Sequence, residues 1–345
     1  MHGSLVPTTA AVHAEPVKTN TLGTLGKTSA IGLGLMGMSD AYGPTDRAES
    51  IATIHAALDA GITLLDTGDF YGMGHNEMLL REALDGRDRE QVQISVKFGA
   101  QRSPEGAFLG FDGRPTAVKT SLAYSLRRLG TDYIDVYRPA RLDPQVPIED
   151  TVGAIKEMID TGYVRYLGLS EVGSETIRRA QAVHPISDLQ IEYSLISRGV
   201  EAEILSTLRE FGIGVTAYGV LSRGLISGHW SPDSGGPGDF RSHHPRFSGD
   251  NLDRNLGLVE QLREVAAELG ISVAQVAIAW VTAQGDDIVP LVGARTRQRL
   301  AEALGAADVE LTDDQLVAIE LAVPKGAAAG DRYDAAQMAM LDSER

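Results

Sequence analysis

Eight times along this chain a short apolar run gives way to an amphipathic stretch, and no other feature limits its fold as strongly. Ala30–Met36 leads to Thr45–Ala60, Thr63–Asp66 to Asn76–Leu84, and Val92–Lys97 to Thr116–Leu129. Ile134–Tyr137 leads to Ile148–Asp160, Tyr166–Leu169 to Glu175–Val183, and Leu189–Ile191 to Ala202–Phe211. Gly214–Ala217 runs into a long insertion, and Ile288–Pro290 leads to Arg297–Leu304. Repeated strand-then-helix units imply a parallel sheet. Eight of them in one chain of 345 residues point to a single closed (β/α)8 TIM barrel.

The helices carry punctuation of their own. Thr45 stands before a first turn with Asp46 and Glu49, and Gly61 follows as a C-cap glycine. Leu122, Leu126 and Leu129 form a helical stripe facing the sheet. Residues 231–251, rich in Gly, Pro, Ser and His, read as a long loop over the barrel mouth. Residues 255–269 and 272–283 are extra helices before the last strand, and 312–323 a terminal one. The expected division is a disordered leader at 1–20, a barrel at 21–333 and a C-terminal tail at 334–345.

Composition removes several functions. A net charge of −16 argues against partners with phosphate backbones or anionic membrane surfaces. No run approaches the roughly 18 apolar residues of a membrane span. With no cysteine in the chain, disulfides, thiol nucleophiles and cysteine zinc sites are excluded, in keeping with a reducing cytoplasm.

Three residues at the ends of successive strands carry chemistry. Asp66 and Lys97 close two of the β-type runs, and Tyr71 follows in the loop Asp66-Thr67-Gly68-Asp69-Phe70-Tyr71-Gly72. In a parallel barrel these positions converge on one mouth. A free tyrosine has a pKa of about 10, and a nearby ammonium lowers it by favouring the phenolate. A carboxylate can hold that lysine in place. The trio is therefore a candidate general acid for a carbonyl oxygen.

Three other patterns have plainer readings. Gly32-Leu33-Gly34-Leu35-Met36-Gly37 imitates a dinucleotide fingerprint, but Ser39–Pro44 delays the helix that should receive the pyrophosphate. The glycines are expected to pack a barrel strand. Asp66-Thr67-Gly68 and Asp233-Ser234-Gly235 imitate an aspartic-protease pair, yet the second lies in a polar loop. His243-His244 lacks partner ligands for a metal and reads as solvated loop, so no metal site is expected.

Together these residues resemble the aldo-keto reductase superfamily over about Thr21–Tyr333, in its bacterial branch near pyridoxal-reductase-like and potassium-channel-β-subunit-like members. Gly32–Met38 matches that branch's Gly-Leu-Gly-x-Met-Gly-Met start, and Asp66–Gly72 its Asp-Thr-Ala-x-x-Tyr-Gly block. The resemblance implies Tyr71 as proton donor, Lys97 as the group depressing its pKa, and Asp66 as the partner of Lys97. It implies a nicotinamide cofactor, with Ser170 and Gln190 on the carboxamide and Tyr218 stacked on the ring. Leu221 and Arg223, in Gly219–Gly224, match the loop meeting the pyrophosphate. Arg295 and Arg299 suit a 2′-phosphate and Glu302 the adenine, which favours NADPH over NADH. One position departs from the family: Ala140 stands where it has a histidine, in a Tyr-Gln-His-Arg-x-Asp-Pro context. The expected activity is NADPH-dependent reduction of a small aldehyde or ketone. The rival is a low-turnover nucleotide-binding sensor or interaction subunit of the same fold.

Overall fold

The structure, a computed structural model, describes residues 16–39, 41–231 and 239–345. It opens with an antiparallel hairpin, β1 (Thr19–Leu22) and β2 (Gly26–Ser29), in which Thr19 faces Ser29. The folded chain thus begins before Thr21. The hairpin escapes notice because its strands are mostly polar: Thr28 and Ser29 are buried too, and its apolar side chains in the interior are Leu22 and Leu25. Those two side chains pack with Leu64, Val136 and Val289, near the N-terminal ends of the barrel strands. Gly23 makes the approach possible. Its φ is +48°, and a Cβ there would lie 1.9 Å from the Ser187 carbonyl oxygen.

All eight expected strands form. They are β3 (Gly32–Gly34), β4 (Leu64–Gly68), β5 (Gln93–Phe98) and, after the hairpin strands β6 (Ala100–Arg102) and β7 (Phe108–Phe111), β8 (Ile134–Pro139). β9 (Val164–Ser170), β10 (Asp188–Glu192), β11 (Gly214–Tyr218) and β12 (Ile288–Gly293) complete the set. Every barrel pair is parallel, and β12 closes on β3 with Leu291 opposite Gly32. Gly32–Gly34 is therefore a barrel strand, and the following helix starts only at Arg47.

Helices pack around the barrel strands. α1 (Arg47–Asp59) is capped by Asp46, whose side chain accepts from the Glu49 amide at 2.9 Å. α2 (His75–Ala83), α3 (Pro115–Leu129), α4 (Ile148–Asp160), α5 (Ser174–Val183) and α6 (Ile204–Phe211) follow. Then come α7 (Gly249–Leu269) and α8 (Val273–Thr282), the latter starting with a Ser272–Gln275 capping box and burying Trp280 completely. α9 (Arg297–Leu304), α10 (Asp313–Ala322) and the short α11 (Ala335–Met338) end the chain. Among the described residues no single helix is long and apolar enough to cross a membrane.

Two surface stretches differ from expectation. The β6–β7 hairpin, with Ala100 opposite Phe111, has no counterpart among the eight apolar runs. In the expected lid, Phe240–His243 and Pro245–Phe247 are short helical turns and α7 begins at Gly249, while Asp233-Ser234-Gly235 lies outside the described residues. His244, expected in solvent, is buried, its Nδ1 3.1 Å from the Arg332 carbonyl and its ring against Phe240 and Tyr333. Residues 329–333 meet this segment, where Arg246 Nε donates to the Gly330 carbonyl at 3.2 Å.

Candidate active site at the barrel mouth

Asp66 on β4 and Lys97 on β5 form an ion pair that is almost wholly buried. Two neutral donors hold the carboxylate from its other side: Ser95 Oγ at 2.8 Å and Gln190 Nε2 at 2.7 Å, both on Oδ2. A second buried pair braces the first. Arg138 on β8 donates to Asp188 Oδ2 at 2.8 Å and Oδ1 at 3.2 Å, and to Ser95 Oγ at 3.1 Å. Burying such charges is costly, and pairing each with several hydrogen bonds offsets the cost. The result is a rigid floor of fixed charges.

Tyr71 enters this floor from the turn after β4. Gly72 and Met73, with φ of 54° and 53°, turn the chain there toward α2. Asn76 anchors the turn by accepting from Thr67 Oγ1 at 2.6 Å and donating to the Leu35 carbonyl and Ser39 Oγ, each at 2.8 Å. The Lys97 ammonium lies 5.1 Å from the Tyr71 ring centroid. Among the described residues no group of three His, Asp or Glu side chains is placed to hold a metal ion.

The phenol's acidity corrects one expectation. Burial pushes the Tyr71 pKa well above its ordinary value, and the negative charge of Asp66 adds to the rise, while Arg141 works against it. Lys97 is itself held down by burial, partly offset by Asp66. At rest Tyr71 keeps its proton.

The residues expected to hold a cofactor fall into two groups. Ser170, Gln190, Tyr218, Leu221 and Arg223 gather around the mouth, at or just beyond the C-terminal ends of β9, β10 and β11. Their present partners are protein groups. Gln190 serves Asp66, and the Tyr218 hydroxyl donates to Glu171 Oε1 at 2.6 Å and meets the Tyr333 hydroxyl at 2.9 Å. Arg223, at a left-handed φ of 58°, pairs with Glu192 at 3.1 Å, and its guanidinium lies 4.5 Å from the centre of the Tyr333 ring. Arg295, Arg299 and Glu302 lie outward, at the start of α9 and along it. Arg295 donates to the Tyr42 carbonyl at 3.0 Å, while Arg299 and His229 both hold Glu302. A cavity of about 170 Å³ opens between Gly228, His229, Arg263, Ile271 and Glu302.

Sequence reasoning missed the role of the tail. Arg332 grips Glu171, Ser343 Oγ donates to the same carboxylate at 2.6 Å, and Tyr333 caps Tyr218. No motif or spacing in the sequence ties Arg332, Tyr333 or Ser343 to Glu171 or Tyr218. Ala140 is buried immediately after β8, with Arg141 beside it at the mouth. A second cavity, of about 480 Å³, flanks the site between Asp69, Phe70, Met73, Arg102, Tyr124 and Arg128.

Known proteins resemble this chain in sequence and in fold. The profile of the Aldo/keto reductase family matches residues 30–323. "Probable aldo-keto reductase 1" of Glycine max is 41% identical over 323 residues, covering 92% of each chain. The glycerol dehydrogenase of Gluconobacter oxydans superposes with a TM-score of 0.80 at 29% identity, over 88% of this chain and 94% of its own. A likeness of fold extends to an aldo/keto reductase of Klebsiella pneumoniae solved with NADP and acetate, at TM-score 0.72 and 24% identity, over 92% of this chain and 99% of that one. With its profile match spanning most of the barrel, this chain belongs to the aldo/keto reductase family.

Proposed function

We propose that this protein reduces an aldehyde or ketone to an alcohol at the expense of NADPH, with Tyr71 as the proton donor. The observation that carries the reading is the buried Asp66–Lys97 pair set beneath a protonated tyrosine at a barrel mouth. A protein that merely binds nucleotide has no use for a phenol placed over a fixed ion pair.

The chain's own groups fit a nicotinamide dinucleotide. Ser222 Oγ and Arg223 Nη1 are buried without a hydrogen-bond partner, in the loop whose family counterpart meets the pyrophosphate. The first turn of α9, capped by Thr296, presents backbone N–H groups and arginines that suit a 2′-phosphate. Ser170 and Gln190 would hold the carboxamide and Tyr218 the ring face, with Leu221 packing in the same loop. Bound there, the dihydronicotinamide would supply a hydride.

Each remaining part of the reaction falls to a side chain. Tyr71 retains its proton until a carbonyl oxygen gathers negative charge, then releases it to that oxygen. The phenolate left behind is offset by Lys97, which Asp66 keeps in position through Ser95 and Gln190. Loss of NADPH absorbance with a panel of aromatic and aliphatic aldehydes tests the reading, beside a fluorescence titration of NADPH.

Two observations favour a second reading, a nucleotide-binding sensor with little turnover. Ala140 supplies no donor, and Tyr333 sits on the hydroxyl of Tyr218. Tight NADPH binding without turnover of any aldehyde would put this reading first.

A further inference from the structure

In the family this chain resembles, the histidine at the place of Ala140 helps polarise the substrate oxygen; Ala140 has no side-chain donor, and the next residue along the chain has donors to spare. Arg141 lies partly buried at the mouth, directly after the alanine that takes the histidine's place. Nη1 donates to the Ala140 carbonyl at 2.6 Å and lies 3.5 Å from Ser170 Oγ, and Nη2 is 3.3 Å from the Tyr333 hydroxyl. These acceptors are a carbonyl and two hydroxyls, so among the described residues no carboxylate claims the guanidinium directly. Five N–H donors on a rigid planar fork outnumber those contacts. The charge is also felt at the chemistry, because Arg141 acts electrostatically on both the Tyr71 phenol and the Lys97 ammonium.

Other cationic groups of the mouth are committed elsewhere. Lys97 is bound to Asp66, Arg138 to Asp188, Arg223 to Glu192, and Arg332 to Glu171. Beside these four, Arg141 is held by neutral groups. A guanidinium so held gives up weak contacts when a developing oxyanion arrives, which is the requirement for stabilising a transition state more than a ground state.

We propose that Arg141 takes over the task of the absent histidine and donates a hydrogen bond to the carbonyl oxygen that Tyr71 protonates. The assignment rests on the reductase reading above. Arg141 transfers nothing in the reaction: the carbonyl carbon gains the hydride, the oxygen gains the Tyr71 proton, and the nicotinamide is oxidised. The guanidinium orients the carbonyl and steadies the charge on its oxygen between those two events.

The test compares wild type with Arg141→Met and Arg141→Lys, each checked for folding by circular dichroism and thermal melting. kcat and KM are measured with NADPH and the best aldehyde, and the NADPH Kd by fluorescence. Arg141→Met should lower kcat by about 10²–10³, the usual loss for one oxyanion donor, and leave the NADPH Kd unchanged. Arg141→Lys should recover part of the rate, and added methylguanidinium should raise the rate of Arg141→Met. An unchanged kcat in a turning-over enzyme overturns the assignment and leaves the reductase reading standing. A fall in kcat matched by weaker NADPH binding also overturns it, because Arg141 would then serve the carboxamide through Ser170. Wild type without turnover removes both. Should Arg141→Met fail to fold, Arg141→Lys against wild type decides by the same kcat-versus-Kd comparison.

Discussion

Arg332 and Glu171, separated by 161 positions in sequence, meet as a two-pronged pair: Nη1 lies 2.8 Å from Oε1 and Nη2 2.6 Å from Oε2. The pair fastens the C-terminal tail across the barrel mouth, with Tyr333 delivered onto Tyr218 as a consequence. Glu171 is fully buried and Arg332 nearly so. Arg332 holds the Glu171 carboxyl well below the usual carboxylate range despite burial that opposes it.

Breaking that pair should therefore be expensive. Arg332→Met leaves a buried carboxylate without its cation, a change that typically costs about 3–5 kcal/mol. The pH dependence has a definite sign. A carboxyl whose folded pKa is depressed adds stability above its ordinary pKa near 4.5, and that stability is lost as pH falls through the lower folded value. In Arg332→Met this contribution is gone. Urea unfolding of both proteins should show the widest gap near pH 7 and a narrowing gap toward pH 4. A gap independent of pH would mean that the pair is not what holds the tail.

The proposed roles of Tyr71 and Lys97 make a kinetic prediction. Tyr71→Phe removes the proposed proton donor and should lower kcat by about 10²–10⁴, the range of general acid catalysis, with NADPH binding retained. Lys97→Met should lower kcat while also stranding Asp66 in the interior, so it should melt earlier than wild type. Stopped-flow NADPH oxidation and thermal melting separate the two effects. Rates untouched in Tyr71→Phe would place the proton donor elsewhere.

Cofactor preference is tested at the start of α9. Arg299 now answers Glu302 at 3.2 Å, and Arg295 is spent on backbone carbonyls, so both must reorient to grip a 2′-phosphate. Arg299→Ser and Arg295→Ser should each raise the NADPH Kd by roughly tenfold, about 1.4 kcal/mol, and leave NADH almost unaffected. Equal losses for both cofactors would assign these arginines to the shared part of the dinucleotide.

The barrel was legible because its strands are short apolar runs recurring at a spacing that leaves room for a helix between them. The β1–β2 and β6–β7 hairpins were not, since strands that expose one or both faces carry little apolar pattern. Asp66, Tyr71 and Lys97 stood out because their places at strand ends are fixed by the same periodicity. The tail's role was hidden for a different reason. Arg332, Tyr333 and Ser343 act through partners more than a hundred residues away, and no spacing rule links them to Glu171 or Tyr218. Arg141 was visible only as part of a motif. That it pairs with neutral groups emerges only once the acids around it are seen to have other partners.

Asp69, two residues before Tyr71, carries the last prediction. Its carboxyl is pushed up to about 7, chiefly by burial and then by the neighbouring charge of Glu77, with Arg128 opposing. One oxygen, Oδ1, is buried with no hydrogen-bond partner. A group whose folded pKa is raised favours the folded state fully below its unfolded value, near 3.8, and loses that advantage as pH rises toward 7. Wild type should therefore lose stability between about pH 4 and pH 7 from this residue alone, and remain at the lower level above. Asp69→Asn keeps the shape and cannot ionise, so it should match wild type near pH 4. It should exceed wild type by on the order of 2–4 kcal/mol at pH 8, the worth of a shift of this size. Denaturant unfolding across pH 4–8 measures the difference directly. Parallel curves for the two proteins would show that Asp69 ionises as it does in water, with solvent from the adjoining cavity reaching it.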